Sequence, residues 1–155
     1  MASVLAQLEQ SGVATWIRES GVLYGYPLIL FLHTLGLSTV VGMSAAIDLR
    51  LLGVASTIPL ASLDRLFGVM WAGFALTAAT GVLLFVSDAT KHASNPAFFV
   101  KLAFVAGGVA ALALVRSRVF HGQQRGAVLA AASLGCWLIA LTAGRLMAYI
   151  SEFIS

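Results

Sequence analysis

The sequence predicts an all-α integral membrane protein, an up-and-down bundle of four transmembrane helices with an amphipathic interfacial helix at its amino terminus. The first reason is composition, because 60% of the 155 residues are hydrophobic and only 10% are charged. Soluble domains are about a quarter charged, so this chain has too few polar side chains to cover a surface in water. The second reason is length, because four apolar stretches reach the roughly 20 residues that a spanning helix needs.

Residues 2–20 form the predicted interfacial helix. Leu8 and Trp16 belong to an apolar series at roughly helical spacing, while Glu9 and Arg18 are charged. A helix of this kind lies in the membrane surface with its apolar side in the lipid. No basic cluster precedes the apolar residues, so an interfacial helix is favoured over a secretion signal.

Charged residues or a helix-starting proline mark the edges of the apolar stretches. The first stops at Asp48, the second lies between Arg65 and Asp88, and the third runs from Pro96 to Arg116. Because the connections are short, neighbouring helices are predicted to be antiparallel. The predicted spans are residues 27–52, 62–88, 96–118 and 126–151.

The distribution of basic residues predicts the orientation of the spans. Cytoplasmic loops of membrane proteins are enriched in lysine and arginine. The loops after the first and third spans hold five arginines, namely Arg50, Arg65, Arg116, Arg118 and Arg125. The opposite side has four basic residues, namely Arg18, Lys91, Lys101 and Arg145. We therefore expect a multi-pass protein of a bacterial inner membrane with both termini in the periplasm.

A few ionisable residues lie inside the spans, at similar depth. Counting at about 1.5 Å per residue from the basic edges places His33 and Lys101 about 8 Å below the outer boundary. Arg145 lies slightly nearer that boundary, and Asp88 lies at it. Polar residues within a membrane usually face the bundle interior or a functional pathway. The competing interpretation is that the lysine and the arginine extend to the surface, and that the histidine bonds to a carbonyl in the core.

This combination of side chains favours an electron-transfer cofactor. A histidine in a helical bundle is a common axial ligand of haem iron, so His33 is the candidate metal ligand for haem b. Lys101 and Arg145 would neutralise the porphyrin propionates, and Gly36 would leave room for the flat macrocycle. A quinone head group is the alternative guest, because histidine and lysine can hydrogen-bond its carbonyl oxygens.

The other two histidines limit the possible second axial ligand. His121 falls in a predicted cytoplasmic loop, on the wrong side of the membrane. His92 falls in an outer loop, about 10 Å above His33 along the membrane normal, and would bind the same haem only if that loop folds inward. No hydrolytic or nucleotide-binding motif is present, so no catalytic residue is assigned.

Two stretches carry a resemblance to known families. Tyr26 to Gly53 reads YPLILFLHTLGLSTVVGMSAAIDLRLLG, and Gly81 to Leu102 reads GVLLFVSDATKHASNPAFFVKL. Both resemble a family of small bacterial four-span membrane proteins with a domain of unknown function. More distantly, a histidine early in the first span resembles the HemJ-type protoporphyrinogen oxidases and the CopD-type membrane proteins. In the HemJ family a lysine early in the third span is also functional, and Lys101 is the matching position. The resemblance implies a porphyrin or haem at the outer site.

The sequence therefore predicts a haem- or porphyrin-binding, cytochrome b-like redox protein that exchanges electrons with quinone or a periplasmic partner. The alternative is a non-enzymatic anchor or accessory subunit of a larger complex, or a homo-oligomer. Copper or proton transport ranks third, because Met43 and Met70 lie away from His33. The lone cysteine, Cys136, forms no disulfide within the chain. The scattered basic residues do not match a nucleic-acid surface.

Overall fold

The structure is a computed structural model that describes residues 2–20, 24–120 and 126–154. All regular structure in these ranges is helical, which confirms the predicted all-α class. A π-helical turn, Arg116–Phe120, continues the sixth helix. The helices are α1 (Ala2–Glu9), α2 (Gly12–Glu19), α3 (Tyr26–Leu51), α4 (Leu60–Ser87), α5 (Ala89–Ser94), α6 (Pro96–Val115) and α7 (Ala127–Ile154).

Four of the helices are long and apolar enough to cross a membrane, as predicted. They are α3, α4, α6 with its π-helical turn, and the 127–147 part of α7. Their starts follow from local chemistry. Pro59 precedes α4, and Pro96 opens α6 after Asn95, whose side chain caps that helix by accepting a hydrogen bond from Ala97 N at 3.0 Å. Proline suits the first turn of a helix because the amide hydrogen it lacks has no partner there.

The bundle consists of two helical hairpins. α3 packs along α4, α6 packs along α7, and the two hairpins meet mainly where α3 contacts α7. The backbones of α4 and α6 approach each other at few points, so this side of the bundle is looser. The buried core lies between the hairpins and comprises Val40, Ile47, Phe67, Met70, Leu112, Val115 and Trp137.

Glycines bring α3 and α4 into close contact. A Cβ atom at Gly36 would collide with Thr77 Oγ1 and would lie 2.7 Å from the Gly73 carbonyl oxygen. A Cβ atom at Gly73 would lie 3.0 Å from the Thr39 side chain. Small residues allow such close approach of helices in lipid. The expectation that Gly36 leaves room for a macrocycle is therefore wrong, because α4 fills the space beside it.

The amino terminus forms two short helices, where the sequence predicted one continuous helix over residues 2–20. The chain bends at Ser11, whose hydroxyl caps α2 by accepting a hydrogen bond from Ala14 N at 3.3 Å. Ala14 and Ile17 are buried, whereas Val13 and Trp16 are exposed. The predicted amphipathic character is thus present in α2. The helix breaks before α2 because the serine side chain bonds to the backbone and so competes with the helical hydrogen bonds.

Hydrogen bonds fix these two helices to the bundle at the carboxyl-terminal end of α4. We call this end of the bundle the α1–α2 end. The Arg18 guanidinium donates to the Ser87 carbonyl oxygen at 2.7 Å and to the Glu9 carbonyl oxygen at 2.6 Å. The Glu9 carboxylate accepts a hydrogen bond from Thr90 N at 2.7 Å. α1 also packs against α5, and α2 against α4.

Candidate functional site

His33 lies on α3 and faces α4, and its hydrogen bonds define its tautomer. Its Nδ1 lies 3.0 Å from the Thr77 carbonyl oxygen and 3.1 Å from Thr80 Oγ1. A carbonyl oxygen only accepts hydrogen bonds, so Nδ1 carries the proton. The Thr80 hydroxyl donates to the Leu76 carbonyl oxygen at 2.7 Å, which leaves its oxygen free to accept as well. In the neutral ring Nε2 is therefore an unprotonated acceptor, and it bonds to no residue that the structure describes.

Gly81 provides the space for the imidazole. A Cβ atom at this position would lie 3.2 Å from His33 Cε1 and 3.6 Å from Nδ1. The ring is thus held against the α4 backbone by one glycine and two threonine contacts. Such support from packing and hydrogen bonds is what fixes a ligand side chain in one orientation.

Lys101 brings a positive charge to the same level of the bundle from α6. Its side chain lies along Gly144 of α7, where a Cβ atom would sit 3.5 Å from Cδ, 3.6 Å from Cε and 3.8 Å from Nζ. The ammonium group lies close enough to His33 to act on the imidazole electrostatically. Within the described ranges no carboxylate forms an ion pair with Lys101. The structure thus places the predicted histidine and lysine within electrostatic range of each other.

Arg145 does not lie with His33 and Lys101, which corrects the expectation that it lines the site. It is exposed, its guanidinium lies 5.5 Å from the Tyr149 ring centroid, and its Nη2 lies 3.4 Å from the Tyr149 hydroxyl. Gly144, one residue earlier, faces Lys101. Successive residues of a helix point about 100° apart, so the arginine projects away from the face that packs against α6.

His92 lies on α5, outside the contacts that surround His33. Its Nδ1 lies 2.7 Å from the Asp88 carbonyl oxygen, and its ring lies 6.2 Å from that of Phe85 and 5.8 Å from that of Phe98. Phe85 is one helical turn, about 6 Å, beyond the glycine that packs against His33. No contact between the two histidines is described, so the role of His92 as a second ligand stays a prediction. His121 lies outside the described residues.

The structure reveals a buried polar cluster that the sequence reasoning missed. Asp48 is fully buried inside the bundle, where Ser44 Oγ donates to its Oδ2 at 3.1 Å. Ser133 of α7 is also fully buried, with its Oγ 3.2 Å from Ser44 Oγ. Asp48 Oδ1 has no hydrogen-bond partner among the described residues. The one available signal was the spacing of Ser44 and Asp48, because residues four apart share one face of a helix.

Metal-binding side chains are scattered in the described part of the chain. Within residues 2–20, 24–120 and 126–154, no three histidine, cysteine, aspartate or glutamate side chains converge as a metal site. A macrocycle supplies four nitrogens of its own, so a single histidine is enough for haem but not for a bare copper or zinc ion. No protein-family model, curated protein or solved structure matches the chain.

Proposed function

We propose that this chain is a membrane redox protein that binds haem or a porphyrin between its two hairpins, with His33 as the axial ligand. One observation carries the proposal: the His33 Nδ1 proton is donated to the Thr77 carbonyl oxygen, which leaves the Nε2 lone pair free. Histidines that bind metals almost always donate their other ring N–H to a carbonyl or carboxylate oxygen. The hydrogen bond to Thr77 has this form.

Lys101 supports the proposal through its charge. Its ammonium group lies near the imidazole and has no carboxylate partner among the described residues. An anionic group of the cofactor, such as a porphyrin propionate, would offset the cost of keeping that charge inside the bundle. Because α4 fills the space beside Gly36, His33 and Lys101 are the residues that would hold the group. When bound, haem supplies one-electron oxidation and reduction.

The proposed setting is a bacterial inner membrane, with both termini and the His33 pocket on the periplasmic side. The multi-pass bundle supports the membrane part of this proposal, and the count of basic residues supports the orientation. Quinone in the bilayer or a periplasmic redox protein would exchange electrons with the cofactor. These partners are inferred from the depth counted along the sequence for His33, about 8 Å below the outer boundary.

The test is an absorbance spectrum of protein purified in mild detergent from haem-replete cells, before and after dithionite. We expect a Soret band that shifts on reduction. His33→Gln should abolish the band or move it, because it removes the ligand. Tyr149→Phe is the control and should keep the band, since Tyr149 lies with Arg145 outside the contacts of His33. Colourless wild-type protein, or an unchanged band in His33→Gln, would contradict the proposal.

A second candidate function is a non-enzymatic anchor or accessory subunit. The observation in its favour is the exposed apolar side of the amino-terminal helices, where Val4, Val13 and Trp16 have more than a third of their surface free. Such a surface fits lipid or another protein chain. Colourless protein, a stable His33→Gln variant and a co-purifying partner lost on Trp16→Ser would together favour this function.

A further inference from the structure

A lateral groove opens between α4 and α6, at the end of the bundle opposite α1 and α2. The two helices form the loose side of the bundle, because their backbones approach each other at few points. All but one of the side chains that line the groove are apolar. They include Phe67, Trp71 and Phe74 of α4, Val109 and Ala113 of α6, and Val40 of α3.

Arg116 is the one charged residue among the side chains that line the groove. Its guanidinium lies 5.2 Å from the centre of the Phe67 ring. Its Nε lies 3.7 Å from Asp64 Oδ1, within ion-pair range but beyond a hydrogen bond. This Nε is shielded from solvent and donates to no residue in the described part of the chain. The side chain as a whole is 43% exposed, so the rest of the guanidinium is accessible to a ligand.

The charge around this edge is positive. Arg65 and Arg118 are exposed close to Asp64 and Arg116 in the chain. Asp64, the one carboxylate paired with Arg116 in the described part of the chain, therefore neutralises only one of these three arginines at most. An apolar channel with a basic rim is complementary to an amphiphile that has a long hydrocarbon tail and an anionic head.

We infer that this groove binds an anionic phospholipid, with an acyl chain along the aromatic side chains and the phosphate at Arg116. Guanidinium groups match phosphate through paired N–H···O bonds. Basic pockets between transmembrane helices are known to hold anionic lipid head groups. The acyl chain would cover Trp71, which lines the groove and whose side chain is exposed. This inference does not depend on the haem proposal, because it uses other residues at the other end of the bundle.

The first test concerns the head group. Protein in phosphatidylcholine nanodiscs is titrated with phosphatidylglycerol, and bound lipid is counted by native mass spectrometry after gentle release. We expect Arg116→Gln to weaken binding about tenfold, the effect of losing one charged hydrogen bond. Arg145→Gln, at the other end of the bundle, is the control and should bind as the wild type does. Equal losses in both variants would show only a general surface charge and would overturn the inference.

The second test concerns the tail. Ala113 and Ala110 are both exposed on α6, but only Ala113 lines the groove. We expect Ala113→Trp to fill the groove and reduce phosphatidylglycerol binding about tenfold, whereas Ala110→Trp leaves it unchanged. Unchanged binding in Ala113→Trp would overturn the inference, as would equal wild-type affinity for phosphatidylcholine and phosphatidylglycerol.

Discussion

At the scale of single residues, Asp48 shows how burial changes the role of a charge. Its carboxyl group lies fully inside the bundle, next to the hydroxyls of Ser44 and Ser133. A charge buried without a partner is costly in a protein interior, and Asp48 has no cation within ion-pair distance among the described residues. We therefore expect that position 48 requires a hydrogen-bond acceptor of this size rather than a negative charge.

Two substitutions of Asp48 distinguish its role as a hydrogen-bond acceptor from the role of its negative charge. Asp48→Asn keeps an oxygen for the Ser44 hydroxyl and keeps the volume, so its free energy of unfolding should stay within about 1 kcal/mol of the wild type. Asp48→Ala removes the acceptor and leaves a cavity, so it should lose about 2–3 kcal/mol. Denaturation in mild detergent measures both values. If the asparagine variant were as unstable as the alanine variant, the negative charge itself would be needed.

At the scale of helices, the α3–α4 contact depends on residues without side chains. Gly36 and Gly73 let the two backbones touch, and Thr39 and Thr77 fill the remaining space. Because lipid is as apolar as leucine, packing rather than water exclusion holds such helices together. The contact also carries the Thr77 carbonyl that holds His33, so the site depends on this interface.

Gly36 and Gly42, both on α3, provide a matched pair of glycine-to-alanine variants that tests this interface. Gly36→Ala should destabilise the protein by about 1–3 kcal/mol, because its methyl group would overlap Thr77 and Gly73. Gly42→Ala should be neutral or stabilising by up to about 1 kcal/mol, because nothing lies within 4 Å of its Cβ position and alanine favours a helix. Thermal unfolding in detergent compares them, and equal melting temperatures would contradict the close packing.

At the scale of the whole molecule, the amino-terminal helices are bound to the bundle by side chain to backbone hydrogen bonds. Arg18→Ala removes the bonds to Ser87 and Glu9. Hydrogen bonds of a charged group contribute about 1.5–3 kcal/mol, so amide exchange in α2 should accelerate by about tenfold or more. Arg145→Ala is the control, because its guanidinium lies against Tyr149 and should leave exchange in α2 unchanged. Equal exchange in both variants would mean that burial of Ala14 and Ile17 alone holds α2.

The sequence predicted the four membrane helices well because span length and hydrophobicity are local properties. It could not predict which way most side chains face. A helix that is apolar on all sides has no polar face to mark its exterior. The sequence therefore assigned both Lys101 and Arg145 to the site, and only the packing separated them. The burial of Asp48 depends on Ser133 of another helix, and the role of Gly36 depends on Thr77. The first depends on how the two hairpins dock and the second on how α3 packs along α4 within one hairpin, and a single sequence reveals neither.

The loose contact between α4 and α6 sets the route by which a hydrophobic guest reaches the groove. Such a molecule dissolves in the bilayer first and then diffuses in two dimensions to the gap, without crossing water. Occupancy is therefore governed by the mole fraction of the guest in the lipid rather than by its aqueous concentration. Diluting the membrane with inert lipid would empty the groove, whereas diluting the buffer would leave it filled.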